Sequence, residues 1–428
     1  MKADAFWRVV RTYPDVRRLW LGETTAAFGS YFFRIALMWY VYVRTGSGTA
    51  IGLVVVVGFL PEVVLAPWFG VLADRLNRRR MMVASNAASA MVAGLLASAV
   101  ALHVASLSVI ASGMLLMGAA SAFYDPARSG LFPDIVQRQD LLTAHALFHT
   151  SRQAARLVGS SLAGVIVALA GAVPTMAADV VTFLVSALWV AHISYQHGRS
   201  PAGPGQPSPS AVASARAAWE WMRRRPVILA MSGIGMVSNI ALGPSNVLPP
   251  MLIRHTFHAG SAALGVFDAA IGLGIMAGGI VIGMITINRM GLSMAAALGI
   301  ETLGLLAVAL SPSPLGADVG NLLLGIGLVA ANAPGGAMMQ TIVPSELLGR
   351  VSSFSTVLNG FAIPITYGGV GALGDAIGAQ GSYGLAAGLM AACLAAALLV
   401  PGIRSFRLTE AGRDAVSESN PSSEAKSL

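Results

Sequence analysis

The segment from Gly70 to Arg80, GVLADRLNRRR, constrains the fold of this chain more than any other. It holds one acid and four arginines between two apolar runs of about twenty residues, the length that a helix needs to cross a bilayer. Because such a cluster cannot lie in hydrocarbon, the segment is predicted to be a water-facing loop between two membrane-spanning helices. Loops rich in Lys and Arg face the cytoplasm, so the segment also predicts the orientation of the chain.

The composition of the whole chain indicates an integral membrane protein and excludes the soluble classes. Of its 428 residues, 55% are hydrophobic and 11% are charged, with a mean hydropathy of +0.71, whereas a soluble domain has about 25% charged residues. The net charge of +8 would suggest a nucleic-acid partner in a soluble protein, but arginine-rich cytoplasmic loops account for it here. The single cysteine, Cys393, forms no disulfide within one chain.

Apolar runs long enough to span a bilayer recur along the chain and predict about twelve helices. If the N-terminus is cytoplasmic, almost every Lys and Arg falls on the cytoplasmic side, with Arg44 and Arg254 outside. We therefore expect a multi-pass protein of the inner (plasma) membrane with both termini in the cytoplasm. The predicted spans are 18–43, 50–73, 81–103, 107–127, 143–171, 173–195, 227–253, 262–287, 291–311, 317–340, 347–375 and 381–403.

A stretch rich in Pro, Gly and Ser, from Ser200 to Ser210, divides these spans six and six. The basic segment that follows carries Trp219 and Trp221 and is typical of a short amphipathic helix on the cytoplasmic leaflet. Weak echoes between the two halves favour a duplicated six-helix unit. The predicted domains are an N-terminal six-helix bundle (1–195), a cytoplasmic linker with a short amphipathic helix (196–226), a C-terminal six-helix bundle (227–403) and a disordered cytoplasmic tail (404–428).

Several motifs of this chain resemble the major facilitator superfamily of transporters. Its signature loop between helices 2 and 3 is matched by Gly70, Leu72, Asp74, Arg75, Arg78 and Arg79. Within the superfamily, five stretches are similar to the drug and siderophore exporter branch, which includes macrolide efflux and enterobactin export proteins: 45–47, 59–61, 123–128, 132–134 and 343–351. The resemblance implies an all-α membrane protein with twelve transmembrane helices in two pseudo-symmetric six-helix bundles around a central cavity.

The resemblance also implies a gate on the cytoplasmic side. Asp74 would lie at the N-terminus of helix 11, near Leu347, where its charge favours the positive end of the helix dipole and holds this side closed. Asn77 replaces a glycine of the superfamily's loop and is expected to keep its left-handed turn. The gating residues implied are Gly70, Asp74, Arg75, Arg78 and Arg350.

Charged residues inside the spans cost about 2.5–3.5 kcal/mol on insertion scales, so they mark candidate sites. Glu23 and Arg34 share a face of the first helix, but about three turns, roughly 16 Å, separate them, so they cannot pair. Our hypothesis is that Glu23 titrates and that Arg34 attracts an anionic substrate group or a partner acid. The alternative places Glu23 at the cytoplasmic boundary and gives Arg34 a structural carboxylate partner.

Two further glutamates are candidates for coupling transport to protons. Glu62 follows Pro61 in the second helix, and Glu301 is central in the ninth, where it faces either the cavity or supporting helices. A proton-carrying carboxylate needs such burial. Asp179 and Asp268 are expected nearer the outer end, within reach of water. The predicted coupling or substrate residues are Glu23, Arg34, Glu62 and Glu301.

Amides and prolines concentrate in the seventh, tenth and eleventh helices. The prolines at 244, 249, 250, 334 and 364 are predicted to break these helices, which is tolerated only beside protein or a water-filled cavity. Alternatively, each amide serves only interhelical hydrogen bonding, and Tyr31 on the first helix only packing. The predicted cavity-lining residues are Tyr31, Asn239, Asn246, Asn332 and Asn359.

No enzymatic chemistry is indicated by the sequence. A phosphate-binding glycine-rich loop is excluded because the only lysines are Lys2 and Lys426, and no metal-ligand cluster or cofactor motif is present. We therefore predict a secondary active transporter that exports a small amphipathic or drug-like compound by alternating access, as a proton antiporter. Alternatives are uptake or uniport of a small metabolite, and a lipid-handling or sensory role on the same fold. Its partners would be the substrate, protons and membrane lipids, with no nucleic acid, and the resemblance implies a monomer.

Overall fold

The computed structural model describes residues 3–194, 219–285, 287–343 and 345–406. These residues are 90% helical and contain no strand, and ten of their helices are long and apolar enough to cross a membrane. The prediction of an all-α, multi-pass membrane protein is thereby confirmed. The predicted linker from 200 to 210 and the tail from 407 lie outside the described residues; of the predicted amphipathic helix, 219–223 is helical.

The first part of the chain contains a short helix followed by six long ones. They are α1 (Ala3–Thr12), α2 (Pro14–Thr45), α3 (Gly48–Arg75), α4 (Arg78–Ala101), α5 (Leu107–Ile135), α6 (Leu141–Ala170) and α7 (Ala172–Ala191). Polar caps begin several of them, as where the Ser47 side chain accepts a hydrogen bond from the amide of Ala50. Asn77 is likewise the N-cap of α4, with φ −71°, so the expected left-handed turn is wrong.

The second part of the chain is less regular at its start. Its elements are α8 (Pro226–Ala241), α9 (Gly243–Val247), α10 (Pro249–Met251), a π-helical turn (Leu252–Thr256), α11 (Ser261–Met284), α12 (Met290–Leu310), α13 (Pro314–Ile342), α14 (Ser345–Leu399) and α15 (Pro401–Arg404). The predicted span 227–253 is thus broken, because prolines remove backbone donors.

Other predicted boundaries differ for local reasons. Helices α13 and α14 run through Pro334 and Pro364, so the breaks predicted at these two prolines are wrong. Helix α5 likewise continues through Pro126 and Pro133, beyond the predicted end at 127. Helix α14 covers two predicted spans, which the non-helical Gly378, with φ 79°, separates.

The long helices pack mainly within their own part of the chain. In the first part, α2 packs on α6 and α7, and α5 packs on α3 and α4; in the second, α13 packs on α11 and α12. The two most extensive pairs that join the parts are α6 with α11 and α3 with α14, and α2 makes smaller contacts with α10 and α11. The largest apolar cluster extends across both parts, from Phe33 and Val92 to Leu305 and Tyr383.

The loops alternate between two ends of the molecule. We call the end that carries Arg75 to Arg80 the basic end, and the end that carries Gly46 and Gly378 the opposite end. The two parts approach closely at the opposite end, where a Cβ on Gly164 would lie 2.6 Å from the carbonyl oxygen of Ser261. Such small residues let membrane helices meet backbone to backbone.

Candidate functional site

A cavity of about 410 Å³ lies among the helices of the first part and brings together three of the predicted residues, Glu23, Tyr31 and Glu62. We call it the first cavity. Helices α2 to α7 all contribute to its wall. Aromatic rings and methionines line it together with charged groups: Tyr31, Tyr124, Phe183, Met114, Met117, Glu23, Glu62, Asp125, Arg128 and Arg152.

The carboxylate of Glu23 is held by arginines from two other helices. The Nε of Arg128 on α5 donates a hydrogen bond to it, and a guanidinium nitrogen of Arg152 on α6 lies 3.9 Å away. Arg128 also lies over the rings of Phe132 and Phe148, at 5.9 and 5.8 Å. Two positive groups therefore offset the charge of Glu23 at the wall of the first cavity.

Arg34 reaches an acid from the second part of the chain. It donates a hydrogen bond to Asp268 of α11, as does Arg156 of α6 at 3.1 Å, and the hydroxyl of Ser160 donates at 2.5 Å. Asp268 is 3% exposed and Asp179 is fully buried, so the expectation that water reaches these two acids is wrong. The partner of Arg34 is thus a protein carboxylate.

A second cavity, of about 330 Å³, adjoins the first and reaches both parts of the chain. The two share the lining residues Ser30, Gly58, Glu62, Met114 and Met117. The adjoining cavity adds Arg34 and Asp179, and from the second part Asn246 and Tyr367. Glu62 therefore lies where the two cavities meet.

The other predicted residues of the second part lie around a third cavity, of about 350 Å³. Asn239 and Asn332 line it together with Glu301, which is 2% exposed. The amide of Asn239 donates to the carbonyl oxygen of Gly235 at 2.9 Å. The predicted cavity residues are thus distributed over three cavities, and the side chains of Asn359 and Arg350 lie outside the described ones.

At the basic end, the predicted gating residue Arg78 contacts α5, a helix of the same part of the chain. Arg78 donates hydrogen bonds to Asp134 at 2.9 Å and to the carbonyl oxygen of Gly130 at 2.8 Å, both on α5. The carboxylate of Asp74 is 80% exposed and lies 3.8 Å from Arg78. Arg75 is exposed, and Gly70 has no described atom within 4 Å of a built Cβ.

At the opposite end, a carboxylate from α14 caps the N-terminus of α3. Asp375 accepts hydrogen bonds from the amides of Gly48 and Thr49, at 2.6 and 2.9 Å, and from the hydroxyls of Ser47 and Thr49, at 2.7 and 2.6 Å. The first amides of a helix have no partner within it, so an anion is stabilised there. Sequence reasoning missed this residue, whose one signal is a lone acid in the glycine-rich run 368–378.

The described residues contain no group of three His, Cys, Asp or Glu side chains that could hold a metal ion. Glu23 and Asp268 instead pair with arginines across helices, beside cavities lined by apolar and polar side chains. Such an arrangement can take up a small molecule with both kinds of surface.

Known proteins resemble the chain over most of its length. A family model described as "Transmembrane secretion effector" matches residues 12–425. Macrolide efflux protein A of Streptococcus pyogenes is 21% identical over 402 residues, which cover 91% of this chain and 96% of that protein. The staphyloferrin A transporter of Staphylococcus aureus is 26% identical over 161 residues, or 37% and 41% of the two chains.

The fold is also that of a solved transporter structure. A POT family transporter in complex with 5-aminolevulinic acid superposes with a TM-score of 0.72 at 15% sequence identity. The match covers 92% of this chain and 96% of that chain.

Proposed function

Because the chain belongs to the transmembrane secretion effector family of the major facilitator superfamily, we propose that it exports a small amphipathic compound by alternating access. Two of its relatives bear the names of a macrolide efflux protein and a siderophore transporter. The name of the first relative states efflux, which supports export as the direction, and we propose the inner (plasma) membrane as the location.

The lining of the first cavity is the observation that carries this proposal. Small-molecule sites in proteins have volumes of about 300–1,000 Å³ and are mostly apolar, with a few polar groups that orient the ligand. The first cavity, of about 410 Å³, has Met114, Met117 and Phe183 beside charged side chains. This combination suits a compound with an apolar body and a polar edge.

The proposed architecture has twelve spans in two six-helix bundles. It treats the broken run from 226 to 256 as one span and divides α14 at Gly378 into two. The packing of the helices mainly within their own part of the chain supports this grouping. Alternating access would then be a rocking of one bundle against the other.

The described conformation corresponds, in this proposal, to a state open toward the cytoplasm. The two parts are joined at the opposite end through Asp375 and the approach of Gly164 to Ser261. At the basic end, the carboxylate of Asp74 on α3 is 80% exposed. The excess of Arg at the basic end supports the placement of this end on the cytoplasmic side of the membrane.

Protons are the proposed driving ions, and Glu62 is their proposed carrier. Glu23 and Asp268 are both bonded to arginines, which offset their charges. Glu62 is half-buried and lies between the two adjoining cavities, where both a substrate and water would reach it. Exchange of a proton for the substrate at Glu62 would couple the entry of protons to the export of the substrate.

Inverted membrane vesicles provide the test of this proposal. An amphipathic dye should accumulate inside vesicles that contain the protein, and a protonophore should abolish the accumulation. A strain that lacks the protein should be more susceptible to at least one compound of a drug and siderophore panel.

Two results would contradict export. Dye movement only out of inverted vesicles would indicate uptake. No response to any soluble compound, together with altered lipid composition, would indicate a lipid-handling protein.

A further inference from the structure

The third cavity holds a carboxylate that the transport cycle proposed above does not use. Helices α8, α12 and α13 enclose this cavity of about 350 Å³, and Glu301 is part of its wall. Glu301 is 2% exposed, and its Oε2 is buried without a hydrogen-bond partner among the described residues. A buried carboxylate is costly unless it is paired or neutralised, so this oxygen is available to a group that enters the cavity.

The wall of the third cavity supplies no positive group to Glu301. Its described lining contains no Arg, Lys or His. Glu23 and Asp268 differ in this respect, because Glu23 is bonded to Arg128, and Asp268 to Arg34 and Arg156. The buried Asp179 has no such partner among the described residues either, but the hydroxyl of Thr182 donates a hydrogen bond to it. Arginines therefore offset the charges of Glu23 and Asp268, whereas the described wall of the third cavity offers no positive side chain to Glu301.

A glycine on the neighbouring helix, Gly327 of α13, leaves room for the side chain of Glu301. A Cβ on Gly327 of α13 would lie 2.5 Å from the Cγ of Glu301 and 2.9 Å from its backbone nitrogen, so a larger residue there would displace the glutamate and press on α12. Ser232 of α8 lines the same cavity, and its Oγ is also buried without a partner among the described residues. The Oγ of Ser238 in this lining is likewise buried without a partner among the described residues, so three such side chains favour a polar group of a ligand.

The rest of the lining suits an apolar ligand body. Met231, Met294 and Met339 lie around the cavity, and methionine side chains adapt to ligands of different shapes. Asn239 and Asn332 are exposed and form its rim. The volume is near the lower end of the range for small-molecule sites, so the cavity accepts one part of a compound of drug size.

We propose that this cavity binds the protonated amine of a cationic amphipathic compound, with Glu301 as the counter-ion and Ser232 as a hydrogen-bond partner. We call it the Glu301 recess. The inference deepens the proposed export function, on which it rests, by naming a class of substrate. In the recess, the methionines cover the carbon atoms next to the ammonium group.

The test uses the purified full-length protein in detergent and two fluorescent probes. Dansylcadaverine carries a protonated primary amine, and its N-acetyl analogue is neutral. The wild-type protein should bind the amine about tenfold more tightly than the analogue, as expected of a desolvated charge pair. In Glu301→Gln, the ratio of the two affinities should fall to about one while binding of the analogue is retained.

Matched variants separate the recess from general damage. Asp318→Asn makes the same acid-to-amide change on α13 outside the recess and should keep the wild-type ratio. Gly327→Ala should displace Glu301 and lower the ratio. Gly388→Ala, at a glycine with no described atom within 4 Å of a built Cβ, should leave the ratio unchanged.

The outcomes are distinct. An unchanged ratio in Glu301→Gln overturns the proposal, as does equal affinity of the wild-type protein for both probes, which would indicate a proton site alone. If Glu301→Gln does not elute as a folded protein in gel filtration, Ser232→Ala, which removes the proposed hydrogen-bond partner, decides instead: an unchanged ratio in that variant overturns the proposal. If the protein prefers the amine but exports nothing, the proposed function is contradicted, while the binding of amines in the Glu301 recess is still supported.

Discussion

The carboxylate of Asp375 accepts a 2.6 Å hydrogen bond from the backbone amide of Gly48, 327 residues earlier in the chain. This contact joins α14 to α3, one of the two most extensive helix pairs that connect the two parts of the molecule. In the proposed cycle it must break whenever the opposite end opens. Asp375 therefore contributes to the balance between two states of the transporter.

We predict that Asp375→Ala shifts the protein toward the state that is open at the opposite end. A lost helix cap costs about 1 kcal/mol, which corresponds to about a fivefold change in the ratio of the two states. Spin labels at Val43→Cys and Ile377→Cys, both exposed near that end, in a Cys393→Ser background would report the distance distribution. The longer distances should gain population, and an unchanged distribution would exclude Asp375 as a determinant of closure.

Removal of the Asp268 charge should destabilise the fold. Asp268→Asn leaves Arg34 and Arg156 without their carboxylate at a site that is 3% exposed, and breaking a buried pair costs about 3–5 kcal/mol. Thermal unfolding of the purified protein should show a clearly lower midpoint. The control is Asp74→Asn, an exposed acid whose pair contributes less than about 1 kcal/mol; equal midpoints for the two variants would refute the assignment.

Replacement of Glu62 should separate transport from its driving force. If Glu62 carries the proton, Glu62→Gln should retain exchange of labelled for unlabelled substrate and lose accumulation driven by a proton gradient. Both reactions should be measured in the same proteoliposomes. Loss of exchange together with accumulation would make Glu62 a substrate ligand, contrary to the proposal.

Asp74→Asn is predicted to slow transport without changing substrate preference. Asp74 is exposed in the described conformation, and we expect it to meet the N-terminus of α14 only when the basic end closes, where a carboxylate gains about 0.3–1 kcal/mol. Initial rates for two competing substrates should fall together. A changed ratio of these rates would place Asp74 in the binding site.

The positions of most helices could be predicted from the sequence because the thickness of the bilayer sets the length of an apolar run. The predicted span 291–311 differs by one residue from Met290–Leu310. A proline alone does not predict a break, since its surroundings decide whether the helix continues. The chain breaks after Ala241, near Pro244, yet continues through Pro334.

The partners of the buried charges could not be predicted. The sequence identifies Glu23 and Arg34 as charges that need partners, but Arg128 lies 105 residues from Glu23, and Asp268 lies 234 residues from Arg34. Which faces of distant helices meet depends on packing that no local pattern records. The contact of Asp375 with α3 was missed for the same reason.

The pair of Arg34 and Asp268 has a consequence for how the chain is made. A ribosome completes α2, with its arginine, long before it reaches the aspartate in α11. During that interval Arg34 and Arg156 have no carboxylate from the second part. The ion pairs of these two arginines therefore cannot form while only the first part has been synthesised. The packing of the first part is therefore completed only after α11 has been inserted and has brought Asp268 to these arginines.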